Sequence, residues 1–378
     1  AAKENKMLKV NASAGSGKEQ PINQKVQTPN GEIKIGNLKI GDKIFASSGN
    51  IQLVTNIFPQ GYKKSYKISF RDGSFTYCGE NHLWCVKKQG WRTGYKVKTL
   101  KEIMNDGICK NDGGFKYQIP ICNPVEYSKK QFNIHPYVLG VLIANGGISG
   151  KTPSFTVYKE DKYILNKVKK IISEQHNLNL STRKTPSNCF NSTITTESNY
   201  KNYFNIYLKE MGLKVKSKEK FIPKQYFFGS VEQRKELLAG LMDCDGCSCG
   251  NRISYSTISP QLKEDIKYLV QSLGGTSISK CYDRRKDGKG FEYHINIKMF
   301  FNPFQSERKG KNWKFSTKNP PSRYITNIEY TGEFVEQVCI KVSNEDSLYL
   351  TDSFIVTHNS STLALIANSD FSSSIYLA

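Results

Sequence analysis

No apolar run in this sequence is long enough to span a bilayer, and its first residues lack the continuous apolar core of a secretory leader. A cytoplasmic chain with no membrane partner is therefore expected. Cysteine is too sparse to act as a scaffold. Ten cysteines cannot staple 378 residues, and in a reducing compartment most should be small buried thiols. Acidic residues are in deficit: 33 Asp+Glu stand against 55 Lys+Arg, a formal net charge of +22. That excess predicts a polyanionic partner, nucleic acid before any other, against the plainer alternative of a lysine-rich solvated surface. Pervasive disorder is not expected, because 38% hydrophobic and 12% aromatic residues suffice for packed cores. The length leaves room for two or three of them.

Each end of the chain also lacks something. MLKVNASAGSGK, residues 7–18, reads as a short apolar strand (Met7 to Val10) running into a small-residue loop that ends Gly17-Lys18. The spacing is that of a phosphate-binding loop with Ala12 in the first glycine's place, but Glu19 stands where a Mg²⁺-coordinating hydroxyl is needed. At the far end SSTLALIANS, from Ser360 onward, has the apolar spacing of a helix that follows such a loop, with no glycine loop before it. Joining Lys18 to Ser360 restores ASAGSGKSST. Gly15, Gly17, Lys18 and Ser360 would then hold a nucleotide phosphate, with ATP-Mg²⁺ as ligand, only after everything between is removed. A lone loop match is weak, whereas two halves that complete each other are not.

The interior changes texture twice. Residues 26–90 alternate short β-type runs with Asn-Gly, Asp-Gly and Ser-Gly turns (VQTPNGEIKIG, GDKIFASSGNIQLV, KSYKISFRDGSFTY), and 324–358 return to it (YITNIEY, FVEQVCIKV, LYLTDSFIVTH). Between them, helical periodicity is predicted at 136–149, 160–175, 231–243 and 260–273, interleaved with the lysine-rich β-type segments FTVYKEDKYI and FEYHINIKMF. One β domain interrupted by a second domain is the simplest arrangement. The middle contains two related helices. VLGVLIANG (138–146) and LAGLMDCDG (238–246) are one pattern, apolar with closely spaced small residues and ending in Asn-Gly or Asp-Gly. Small residues allow backbone-to-backbone packing that sets the two C-terminal ends side by side. An acid at each end would bring two carboxylates within metal-bridging distance, the need of metal-assisted phosphodiester hydrolysis.

LAGLMDCDG resembles the signature of LAGLIDADG homing endonucleases, and VLGVLIANG its first copy. KFIPKQYF (220–227) and YLVQSLGG (268–275) also suit these enzymes. The flanking β segments resemble the splicing domain of an intein, closing on His358-Asn359 before Ser360. The resemblance implies an all-β, horseshoe-shaped Hint-type splicing domain interrupted by an α+β LAGLIDADG domain of two pseudo-symmetric αββ-type halves. Its expected divisions are host residues 1–18, splicing domain 19–115, endonuclease domain 116–322, splicing domain 323–359 and host residues 360–378. Excision of 19–359 would join Lys18 to Ser360, with no cofactor and a monomeric splicing domain.

Most inteins begin with Cys or Ser, and here the first position is Glu19, a poor acyl acceptor. Cys339 in VEQVCIKV, Trp84 two residues after His82 in ENHLWCV, and Thr357 before the terminal His-Asn match the class 3 inteins, which use an internal Cys with a Trp and a Thr. The resemblance implies attack by the Cys339 thiolate on the Lys18 carbonyl, with His82 as proton donor to the leaving nitrogen. Ser360 would then accept the acyl group, and Asn359 would cyclise with His358 polarising the bond. Gly79 departs from the pattern, since many inteins carry Thr there, and this leaves His82 less help in positioning the scissile amide.

In the nuclease pattern Asp245 is retained, whereas Asn145 stands where the family has its first metal-binding acid. A Mg²⁺ site at Asp245 and Asn145 is thus half neutralised, while double-stranded DNA should still bind through Lys and Arg. Cys244, Cys247 and Cys249 as a zinc cluster is a weaker reading, for want of a second ligand pair. Two whole-chain alternatives are an active homing endonuclease with decayed splicing and a P-loop ATPase with a regulatory insertion. The host fragments look like the first motif of superfamily 1 DNA helicases.

Overall fold

The computed structural model describes residues 18–359, apart from residues 89, 91–93, 197–201, 251, 289 and 318–319. The expected strand at Met7 to Val10, the loop with Gly15 and Gly17, and the helix beginning at Ser360 lie outside the described residues. Two compact units emerge, one from the segments ending at Ser47, spanning Ile51–Pro120 and starting at Tyr324, the other from Ser48–Asn50 and Ile121–Arg323. Among the described residues no helix is long and apolar enough to cross a membrane.

The first unit is built on two 20-residue strands, Ile51–Phe70 and Arg323–Val342, paired antiparallel from Ile325↔Phe70 to Val342↔Val54. Each strand serves two separate cores. Val54 packs with Val338, Ile340 and Val342 in one, while Ile68 and Phe70 pack with Ile325 and Trp84 in the other. The stretch between them is at most partly buried over most of its length, and register shifts at Tyr330/Phe334 and Gln337/Val338 interrupt its pairing. Lys43–Phe45 extends one side of the sheet; Tyr117–Ile119, Leu83–Lys88 and Lys96–Thr99 extend the other. The Pro-Asn-Gly turn closes the hairpin of Lys25–Thr28 and Gly31–Lys34, with Gly31 at φ 109 where a side chain would be strained.

Two features depart from expectation. The helix Leu100–Asp106 was not anticipated, although Thr99 and Glu102 form a complete capping box at its start. The first unit also continues through Pro120 rather than ending at 115, because Tyr117–Ile119 pairs with Leu83–Lys88.

The second unit contains a repeat. Pro136–Asn145 leads into a sheet ordered Gly146–Gly147, Ser154–Tyr158, Cys189–Thr195, Asn179–Lys184. Val231–Asp245 leads into Gly246–Cys249, Arg252–Thr257, Phe291–Lys298, Thr276–Asp283, the same order. Each half is αββαββα, with Lys162–His176 and Tyr203–Glu210 in one and Pro260–Ser272 and Glu307–Gly310 in the other. The expected αββ is thus the opening of a longer repeat. FTVYKEDKYI is strand only through Tyr158; Asp161 ends the turn and the helix starts at Lys162, which places Ile164 in the core.

Small residues do bring the two signature helices into backbone contact. A β-carbon on Gly140 would lie 2.5 Å from Leu237 O and 3.0 Å from Gly240 Cα, and one on Gly240 would strike Tyr137 O. An alanine at either position would force the pair apart, and with it the spacing of the two helix ends.

Candidate functional site

At the seam, Gln20 and Pro21 pair antiparallel with Val338 and Gln337. One further step along that register sets Glu19 opposite Cys339. Glu19 and Gln20 are fully buried. Tyr349 Oη donates to Gln20 Oε1 at 2.6 Å, and the Gly79 N–H donates to Glu19 O at 3.0 Å. Ahead of the other seam, Thr357 lies in the strand Val356–His358 opposite Tyr349, and the Asn359 N–H donates to Ser347 O at 2.6 Å.

His82 joins the two ends. Its Nε2 lies 2.5 Å from Thr357 Oγ1, and its ring stands edge-on to Trp84 with centroids 5.4 Å apart. Burial pushes its pKa down to about 4, opposed by hydrogen bonding with the backbone of Lys18 and Glu19. His358 is also pushed down to about 4, by burial first and then by His82 and Lys18. Burial pushes the Cys339 thiol up to about 11; Lys18 and Lys63 pull it down and Glu19 pushes it up. At rest, then, the site holds a neutral thiol and neutral imidazoles. Attack by the Cys339 thiolate with His82 as proton donor then requires the proton to move during the reaction.

This predicts acid sensitivity. A histidine whose folded pKa lies below its unfolded value of 6.5 stabilises the fold above 6.5, and that contribution is lost as pH falls toward 4. Melting temperature against pH should drop through this window, and a flat profile would contradict the neutral assignment of His82 and His358.

In the second unit, Asp245 lines a cavity of about 230 Å³ with Ala144, Lys220, Tyr255, Thr257 and Glu292. Burial raises the Asp245 pKa against the pull of Lys309, Lys220 and a hydrogen bond from Tyr255. The other acid of the signature, Asp243, is used structurally: it accepts from Tyr137 Oη at 2.8 Å and from the N–H groups of Gln305 and Ser306 at 3.0 and 2.9 Å. Two lysines passed over in the sequence stand at the helix ends. Lys220 Nζ lies 3.1 Å from Ala144 O and 2.9 Å from Gly146 O, and Lys309 Nζ lies 2.5 Å from Cys244 O. Burial lowers both, Lys220 to about 8. Lys220 opens the KFIPKQYF segment, but among 55 Lys+Arg no spacing marks it out.

Of the two residues expected to hold Mg²⁺, only Asp245 brings a carboxylate, and it lines this cavity. Asp245 faces two ammonium groups, and Glu292 is engaged by His294 at 2.7 Å and Arg284 at 3.5 Å. Asn145 is exposed and offers only an amide. Among the described residues no three His, Cys, Asp or Glu side chains converge on one point, whereas Mg²⁺ favours carboxylates. Nor does a zinc cluster form: Cys244 ends up at the helix terminus, while Cys247 and Cys249 are exposed on the following strand.

The LAGLIDADG-like domain family matches residues 232–336. The replicative DNA helicase DnaB of Mycobacterium intracellulare is 24% identical over 384 residues, covering 94% of this chain and 61% of that protein. The chain thus spans about three fifths of that relative's length. A crystal structure of the gp41-1 intein is 29% identical, covering 27% of this chain and 75% of its own, with a TM-score of 0.20. A crystal structure of I-DmoI in complex with DNA and Mn is 13% identical, covering 48% of this chain and 97% of its own, with a TM-score of 0.34.

Proposed function

We propose that the chain is a self-splicing precursor: residues 19–359 excise themselves and join Lys18 to Ser360, with Cys339 as the initiating nucleophile. The observation that carries this reading is His82, whose Nε2 lies 2.5 Å from Thr357 Oγ1, two residues before Asn359, and whose backbone N–H donates to Gly79 O at 3.2 Å while the Gly79 N–H donates to Glu19 O at 3.0 Å. Excision with joining requires both ends at one centre, and a buried histidine tied to one end by its ring and to the other through Gly79 supports that.

The steps follow from the groups present. The Cys339 sulfur bonds the Lys18 carbonyl carbon, the bond to the Glu19 nitrogen breaks, and that nitrogen leaves as an amine with the proton the thiol gave up. His82, neutral at rest and beside the backbone that breaks, is the group able to hold that proton in passage. The Ser360 hydroxyl takes the acyl group and returns the thiol. The Asn359 side-chain nitrogen then attacks its own carbonyl, its bond to Ser360 breaks, and an O-to-N shift completes the host peptide. The joined sequence ASAGSGKSST would regain its phosphate loop.

Two tests follow. Asn359→Ala should block C-terminal release and let the branched ester on Ser360, or its hydrolysed N-terminal fragment, accumulate in mass spectra; free C-terminal host peptide from that variant would exclude asparagine cyclisation. Because the Cys339 thiol titrates near 11, only about 10⁻⁴ is ionised at neutral pH. Thioester formation should therefore quicken about tenfold per pH unit between 7 and 9, as read by thiol-induced N-terminal cleavage; a pH-independent rate would contradict attack by the thiolate.

For the second unit we propose sequence-specific DNA binding with impaired cutting. The +22 charge and exposed cations along the sheets, Arg183, Lys184 and Lys280 among them, support binding. The amide of Asn145 and the ammonium neighbours of Asp245 support impaired cutting.

A further inference from the structure

Gly79 is glycine for reasons of space. Its φ is not in the left-handed region, so its backbone does not require glycine. A β-carbon there would overlap Glu19 Cγ and come within 2.7 Å of Glu19 Oε1 and 2.8 Å of Gln337 Oε1. The Glu19 side chain thus fills the volume that a side chain at position 79 would take. Its surroundings are unusual for a carboxylate. Glu19 is 0% exposed, neither oxygen accepts a hydrogen bond among the described residues, and Lys63 Nζ lies 3.6 Å from Oε2. Burying a carboxylate is costly unless it is paired, and Lys63 supplies that pairing. Gln337 helps to reserve its space: its Nε2 donates to Lys64 O at 3.1 Å, which leaves its Oε1 against Gly79.

We propose that Gly79 is a specificity-determining socket: by carrying no side chain it lets the first excised residue be a glutamate folded inward toward Lys63, and any larger residue at 79 would restrict that first position to small side chains. The departure at Gly79 and the departure at Glu19 then have one cause. The proposal rests on the reading of Lys18–Glu19 as the bond that breaks.

The test compares the whole precursor with Gly79→Thr, Glu19→Ala and the double variant, following the ligated host peptide by mass spectrometry with Cys339→Ala as control. Gly79→Thr alone should slow ligation by about tenfold or more, because two side chains would claim one volume. Glu19→Ala, which trims a side chain that makes and breaks no bond, should stay within about threefold of the parent. The double variant should return to the Glu19→Ala rate, a rescue that a simple folding defect at 79 would not give. Parental ligation by Gly79→Thr, or a double variant as slow as Gly79→Thr, overturns the socket. If Cys339→Ala still ligates, the nucleophile has been misassigned; if it is inactive while Gly79→Thr is fully active, the socket alone fails.

Discussion

Replacing Cys339 with alanine should abolish ligation and thiol-induced N-terminal cleavage, slowing both by more than about a thousandfold. The reason is positional. Cys339 is buried in the strand against which Gln20 and Pro21 pair, and the register leads straight to Glu19. The first residue cannot substitute, since a carboxylate is a poor acyl acceptor. Cys78 cannot either: it is fully buried and its thiol is pushed far up by burial. Changing Glu19 to alanine should by contrast leave splicing largely intact. The assignment fails if Glu19→Ala stops splicing while Cys339→Ala does not.

The second large effect concerns DNA. The chain should bind duplex DNA with steep salt dependence, because neutralising several phosphates releases condensed counterions, and should cut it slowly or not at all. Asn145→Asp adds a carboxylate at an exposed helix end whose partner helix, held by Gly140 and Gly240, carries Asp245. Mg²⁺-dependent cleavage of the host gene lacking the insertion should rise by more than about tenfold, with little change in binding. Rapid cutting by the Asn145 protein as it stands would defeat this, as would an Asn145→Asp protein that binds the site and never cuts.

Much of this was legible because it is periodic or punctuated. The Asn-Gly hairpin at 30–31, the four long helices of the second unit and the paired small residues Gly140 and Gly240 all follow from local rules. The candidate seam residues were found by spacing, and the fold brings His82, Trp84 and Thr357 into one cluster. What escaped was decided by tertiary contact. The long strands could not be read as single elements, because their middles are at most partly buried and only their ends reach a core. Tyr117–Ile119 is too short to signal itself and becomes a strand by pairing with Leu83–Lys88. Lys220 and Lys309 acquire meaning only where helix-end carbonyls converge on them. Ionisation states were the least legible of all, since burial, not residue type, holds Cys339 near 11 and His82 near 4.

The central claim is that one chain removes its own interior and joins its ends. Mass spectrometry of the purified precursor after incubation, followed by proteolysis, measures that directly. The account predicts loss of residues 19–359 as a discrete species ending in succinimide at Asn359, and a new host peptide containing GSGKSST across the Lys18–Ser360 junction. An intact precursor, or host fragments released separately with no joined peptide, would contradict it.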